Sequence, residues 1–427
     1  MSRWHQPAPQ DGALSAGAEA LAAGMPAHPL PAPATLAAAQ ARMAALDPAA
    51  YARTRNALDG AVSGLSPYIT HGLVSLPQVL AEVHRRHPIE VQHKWVYELG
   101  WREFGRHVWA QRGDGILQSL HPGPLPDGVY ACGLPSAIRQ GCTGVPVVDR
   151  AVQTLYATGY LHNHARMWLA SYVVHVRKVH WRVGADWLYG HLVDGDLASN
   201  HLSWQWVAGT GSSKPYVFNA ENVSRFAPPD WHSAGSVIDT DYDALDRMAR
   251  CAEPSSGAER PASVCGSTRT EPALCGHPPD WLGARPPEAA DVAGRDVWLL
   301  HPWQLGPLPV DLPSDTVVLG LWLQDFHQVW PWSEARWRFV GTRMVELAPL
   351  QWWGDASSVG QALSSASRVR CVGDPHLQPW LERWASVLPQ ARLFPRVERP
   401  CTSFSQWWNR ATKGMPSVSA LLSQSQT

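Results

Sequence analysis

The run Leu192–Gly211, LVDGDLASNHLSWQWVAGTG, puts Asp194, Asp196, Asn200, Trp204 and Trp206 within one short stretch that carries three glycines. Two carboxylates flanking a glycine suggest a turn whose backbone and side chains converge on one ligand, although an isolated DGD also suits a solvated turn. In KWVYELGWREFGRH, the i, i+3, i+4 spacing of Glu98, Trp101 and Arg102 sets an acid, an indole and a guanidinium on one helix face. A surface ion pair beside a core tryptophan has the same spacing. In HNHARM, Asn163 and Met167 share a face and Arg166 lies a turn from Asn163. A mid-helix asparagine needs compensation, and a satisfied core amide would supply it as well as a ligand would. Arg166 is a natural partner for Asp194, since pairing makes burial of either charge tolerable. SGLSPYITHG (63–72) opens a helical segment whose free N–H groups suit a phosphate, or simply a serine cap.

These residues need rigid helices to hold them. LPQVLAEVHRR, HKWVYELGWREFGRHVWAQR, DRAVQTLYATGYLHNHARMWLASYVVHVRKVHW and GADWLYGHL space their apolar residues by three and four, and LDG, GDG and PGPLPDG separate them. The pattern predicts a helical domain over 34–249, after a Pro-rich lead at 1–33. Residues 250–295 are rich in Pro, Ser, Ala and Gly and read as a linker. Beyond them the short apolar runs DVWLL, TVVLGLWL, LQWW, VRCV and ARLF alternate with helical stretches, which predicts a parallel α/β domain over 296–413 and a tail at 414–427.

With 427 residues, two domains are the natural expectation. A net charge of −1 gives no overall basic footprint, so any contact with a polyanion must come from local cations. The 23 tryptophans are the outlier, and indoles stack on flat rings or pass electrons as readily as they fill cores. The seven cysteines form no CxxC pair and read as reduced thiols, with no metal site. Without an apolar leader or an apolar run long enough to span a bilayer, the chain reads as cytoplasmic, with a monomer as the default.

Taken together, SGLSPYITHGLVS, WVYELGWREFGRH, TGVPVVDRAV, ATGYLHNHARM, HWRVGADW and DGDLASNHLSWQWVAGTG resemble, in one chain order, the flavin-binding domain of the photolyase and cryptochrome family. The resemblance implies a U-shaped FAD. It puts Val62, Ser63, Leu65 and Ser66 at the diphosphate and Tyr51, Arg102, Asn163, Arg166, Asp194 and Asp196 among the cofactor contacts, with Glu103 on the same lining helix. It sets Asn200 opposite the flavin N5, where a neutral amide suits a flavin held fully reduced. In members that repair cyclobutane pyrimidine dimers, residues matching Glu98, Trp101, Asn163, Met167 and Trp206 line the pocket of the flipped dimer. The (6-4)-specific branch would need a histidine at Asn163. The resemblance therefore implies a lyase acting on DNA with pyrimidine dimers by light-driven electron transfer from reduced FAD. Arg106, Arg177, Lys178, Arg182 and Lys214 are candidate phosphate contacts. A photoreceptor that binds FAD without repair is the alternative.

Two departures stand out. Trp204 and Trp181 match the proximal and middle members of the family's electron-transfer chain, but the distal register falls at Gly128–Tyr130, where no tryptophan stands; Tyr130, Trp109 or Trp187 is the candidate exit. The antenna-like α/β pattern also follows the helical domain instead of preceding it, which resembles a circular permutation. No second chromophore is implied.

Overall fold

The computed structural model describes residues 33–253 and 270–424. The lead at 1–32, the centre of the expected linker and the last three residues lie outside them.

Helices fill the first half and begin where the caps say they should. Ser75 and Gln78 form a reciprocal capping box at Leu76–Arg86, and Asp47 caps Pro48–Thr54, with proline in the first turn of both. The helix Lys94–Arg112 buries Trp95, Val96, Leu99, Val108 and Trp109, then stops at Gly113, whose φ of 54° ends the repeat. Asn163–Ser171 runs into a π-helical turn, Tyr172–Val176. Asp196 caps Leu197–Ala208 by accepting from the Ser199 N–H, and Gly209 closes it at φ 79°.

Among the described residues the second half holds seven strands: β1 Leu274–Cys275, β2 Asp296–Leu300, β3 Val317–Leu323, β4 Trp332–Ser333, β5 Leu350–Gly354, β6 Arg368–Val372 and β7 Ser386–Leu388. β1 and β4 pair antiparallel, while the others form one parallel sheet in the order β5-β3-β2-β6-β7. The first strand of this sheet lies at its centre and the chain winds outward to both sides. That doubly wound, Rossmann-like order leaves a topological switch point between the carboxyl ends of β2 and β6.

Two expectations about chain organisation need correction. Residues 270–295 pack as part of the α/β half: the Arg285 N–H donates to the Gln351 carbonyl, its own carbonyl accepts from Trp353, and Leu282 and Val292 are buried. A Pro-rich stretch can do this because it pairs its backbone with a strand edge without forming a regular element. The expected tail contains a helix, Val418–Gln424, whose Val418 and Leu421 are buried in the common core. That core also crosses the expected domain boundary, because the helices of residues 34–117 and the Tyr189–Ala198 segment share it with the sheet. A second core holds Tyr130 through Ile238 together with Leu58. Cys132, Cys251, Cys275, Cys371 and Cys401 are free thiols, whereas Cys142 is disulfide-bonded, contrary to the expectation for it.

Candidate functional site

Where four helical segments of the first half meet, a cavity of about 150 Å³ is lined by Ser66, Arg102, Asn163, Arg166, Asp194, Asp196, Asn200 and Trp204, among others. Asp194 takes both its oxygens to Arg166 Nη2, at 3.0 and 2.8 Å, and accepts from the Ser66 hydroxyl at 2.6 Å. Burial alone would raise this carboxyl, but the Arg166 guanidinium outweighs it and holds the group below the usual carboxylate range. Thr70 donates to the Asp194 carbonyl and accepts from Arg102. Asp196 pairs with Arg106 at 2.8 Å, and Arg106 reaches on to Asp374, 3.0 Å away, at the end of β6. Burial opposes ionisation of Asp196 as well, yet Arg106 and Arg102 keep it well below the ordinary range. Asn200 donates its amide to the Ala185 carbonyl, which leaves its oxygen as the group free to accept.

The donor set fits an FAD. Besides this cavity, the Ser63–Ser66 turn carries a cation that spacing did not reveal. Gly64 has φ 59°, and a Cβ there would come within 2.4 Å of Arg42 Nη1. Arg42 Nε is buried without a hydrogen-bond partner, so a guanidinium lies against the turn with unused donor capacity, as a diphosphate would require. Arg42 sits on Leu36–Ala45, outside every quoted motif, and only its basic type in that helix's last turn could have pointed to it.

Of the other candidates, Glu98, Trp101 and Trp206 are not among the residues that line this cavity. Asn163 and Met167 line it, with the Asn163 amide 3.8 Å from the Met167 sulfur. Glu98, one turn before Arg102, pairs with Arg55 at 3.1 Å and Lys94 at 3.4 Å, and burial together with the Glu98 charge raises the Tyr51 phenol pKa. Trp101 and Trp206 are each 40% exposed, whereas most described indoles are buried. One face of Trp101 stacks on Phe404 at 4.0 Å, and Trp206 leans on Tyr216.

On the electron-transfer side, Trp204 packs against Gly184, whose added Cβ would meet the indole at 2.4 Å, on the helix that begins at Trp181. His180 bridges Trp181 and Tyr130, with ring centroids 5.6 and 6.3 Å away. Burial pushes the Tyr130 phenol up to about 12. Of the other expected exits, Trp187 donates to Glu271 and Trp109 packs on His376 toward the sheet, so neither continues from Trp181.

Two of the expected phosphate contacts are internal, and two are partly exposed but bonded to neighbours. Arg106 is committed to Asp196 and Asp374. Lys178 is 3% exposed and donates to the carbonyls of His175 and Met248; burial lowers its pKa to about 8. Arg182 pairs with Asp186 and lies over Trp330, and Arg177 donates to the Tyr172 hydroxyl. Lys214 is exposed. Glu103 turns away from the cavity and accepts from the N–H groups of Leu393 and Phe394.

A second, larger cavity of about 1620 Å³ opens at the switch point, between Arg102, Arg106 and Trp109 on one side and Val372, Gly373 and His376 on the other. No described helix is long and apolar enough to cross a membrane.

Comparison with known proteins bears directly on this site. Residues 95–234 match the FAD binding domain of DNA photolyase. The chain is 39% identical over 208 residues to a deoxyribodipyrimidine photo-lyase of Thermus thermophilus, covering 45% of this chain and 48% of that protein. It is 36% identical over 157 residues to the deoxyribodipyrimidine photo-lyase of Streptomyces griseus, covering 36% and 33%. The crystal structure of a bacterial class III photolyase from Agrobacterium tumefaciens aligns with 51% of this chain and 55% of its own at 23% identity, with a TM-score of 0.41. The chain thus spans less than half the length of the two curated relatives, and the match falls on the helices that build the smaller cavity. Residues 95–234, which carry most of the smaller cavity's lining, are thus similar to the FAD binding domain of DNA photolyase.

Proposed function

We propose that the protein is a light-driven lyase that splits cyclobutane pyrimidine dimers in DNA. The observation that carries this reading is the cavity that sets Asn163 and Met167 beside the Arg166–Asp194 pair, on helices that match the FAD binding domain of DNA photolyase; Trp101 and Trp206, each 40% exposed, add two accessible indoles. When bound, reduced FAD supplies a photoexcitable one-electron donor. The chain's own residues do the rest. A dimer stacks poorly, so flipping it out costs less than flipping normal bases, and the two indoles offer it flat apolar walls. Glu98, paired with Arg55 and Lys94, accepts hydrogen bonds from base edges, and the Asn163 amide supplies both a donor and an acceptor. Ser66, Arg166, Asp194 and Asp196 hold the cofactor, Arg42 and the Ser63–Ser66 turn receive its diphosphate, and Asn200 presents its amide oxygen. Trp204, Trp181 and Tyr130 would offer a path along which electrons from an external donor could reach oxidised flavin. Lys214 contributes sequence-independent affinity for phosphate. The α/β half corresponds to the family's antenna domain in permuted order, a reading supported by its doubly wound sheet.

One observation favours a second reading. With Arg106 and Lys178 turned inward, the cationic surface expected for DNA is thinner, as a photoreceptor without repair activity would allow. The deciding experiment mixes protein, chemically reduced in the dark, with UV-irradiated oligothymidine and follows the absorbance that returns as dimers split. Recovery under blue light and none in the dark supports the lyase. A bound, reducible flavin with no recovery points to the photoreceptor.

A further inference from the structure

Besides the bonds from Ser66, Thr70, Arg166 and Arg106 already described, the DGD turn and its flanks are tied to the α/β half. Ser333 donates to the His191 carbonyl, His71 joins the Val193 carbonyl to that of Pro302 at 2.8 and 2.7 Å, and the Leu197 N–H donates to His376 Nε2. At the centre stands Arg336, on the helix Glu334–Leu347, with no exposed surface. Its Nη2 donates to the Gly195 carbonyl at 2.6 Å and its Nη1 to the Tyr189 carbonyl at 3.2 Å, while its plane lies between the rings of Trp332 and Tyr189. A Cβ on Gly195 would lie 2.6 Å from Nη1, so only glycine at the middle of the turn lets the guanidinium approach.

A fully buried guanidinium bonded to carbonyls, with no carboxylate in direct contact, is costly to keep. It is retained where its field falls on charges that need it. After the Tyr189 phenol, the groups whose charge acts on it are Asp194 and Asp196, and both line the flavin cavity on either side of the residue that Arg336 holds.

We propose that Arg336 is a positioning residue of the flavin site, supplied by the α/β half, which fixes the Asp194–Asp196 turn and lends the cavity a positive field that favours the reduced cofactor. This rests on the reading of the cavity as an FAD site. Removing the cation costs affinity for both oxidation states because the turn loosens. It costs more for the reduced one because reduced flavin carries the extra negative charge.

The test uses the full chain as wild type, Arg336→Met, Arg336→Lys and the surface control Arg338→Met, whose side chain pairs only with Glu334. FAD binding is read by fluorescence quenching, the flavin midpoint potential by spectroelectrochemistry, and folding by the thermal melt of the apoprotein. Arg336→Met is expected to bind oxidised FAD roughly tenfold more weakly and reduced FAD a further tenfold more weakly, a drop of about 30 mV for a two-electron couple. Arg336→Lys should recover most of the potential but less of the affinity, since an ammonium keeps the charge and loses the fork that spans two carbonyls. Arg338→Met should match wild type. Wild-type affinity and potential in Arg336→Met would overturn the proposal, and so would an equal loss for both oxidation states, which marks a merely structural role. If Arg336→Met fails to fold, Gly195→Ala presses on the same contact from the other side. Unchanged affinity and potential in both Gly195→Ala and Arg336→Lys then reject the proposal. Failure of the wild type itself to bind FAD would instead remove the reading beneath it.

Discussion

Glu103 gives the sharpest quantitative prediction. Its Oε1 accepts from the Leu393 N–H at 2.5 Å and its Oε2 from the Phe394 N–H at 3.3 Å, tying the helix Lys94–Arg112 to the segment after β7. Burial outweighs these two bonds and raises the carboxyl from 4.5 to about 7. Because the folded-state value lies above the unfolded one, the group imposes no penalty below pH 4.5, where both states are protonated. From there to pH 7 the unfolded chain gives up its proton first, so stability falls as pH rises, by about 1.4 kcal/mol per unit. The accumulated penalty reaches about 3 kcal/mol above pH 7 and then stays constant. Glu103→Gln removes the titration while keeping one acceptor for the two N–H groups. Urea unfolding of both proteins at pH 5 and pH 8.5 isolates the effect, since every other titrating group cancels in the difference. The variant's stability relative to wild type should improve by about 2 to 3 kcal/mol on going to pH 8.5. A change smaller than about 0.5 kcal/mol would mean that this carboxyl ionises normally in the folded protein and would refute the argument.

Three further outcomes are expected. Glu98→Ala should lower dimer repair about 10- to 100-fold, the worth of one hydrogen bond to a charged group, while light-driven flavin reduction stays at the wild-type rate; equal loss of both would show that Glu98 serves the cofactor. Gly184→Ala drives a methyl group into the Trp204 ring and should cost about 1 to 3 kcal/mol in unfolding free energy. It should also slow flavin photoreduction without touching repair by chemically reduced protein, and a normal photoreduction rate would place Trp204 off the path. Trp206→Ala should weaken binding to dimer-containing oligonucleotide by about 1 to 3 kcal/mol, the range for a base stacked on an aromatic ring. A null result by fluorescence anisotropy would assign the exposed indole to another surface.

Much of this was readable from residue types and periods. The amphipathic spacing of the helical half and the short apolar runs of the α/β half each signal their own structure locally. Arg166 and Asp194 were paired from chemistry alone because a buried charge needs a partner. What the sequence hid was long-range. Arg336 and Gly195, or Glu103 and Leu393, are far apart in the chain, and no local period encodes such contacts. Charge type also says nothing about depth, so Arg106 and Lys178, basic residues on helical segments, read as surface cations although both are turned into the protein. The Pro-rich stretch at 270–295 was misread for a similar reason. Composition reports what a segment cannot form by itself and misses the strand edge of Trp352 and Trp353 that it finds once folded.

The order of the two halves along the chain has a consequence for how the protein is made. During synthesis the residues that build the flavin cavity leave the ribosome first, but the clamp on their central turn lies roughly 140 residues further on, at Arg336, with Asp374 and His376 later still. At translation rates of about 5 to 20 residues per second, the nascent helical half waits on the order of ten seconds before the first of these groups exists. The Tyr189 and Gly195 carbonyls and the Leu197 N–H spend that interval without the partners that hold them in the folded protein. The flavin site is therefore completed from its C-terminal side, and truncations that spare every flavin-lining residue but end before β6 should give nascent chains that reach the protease before they capture the cofactor.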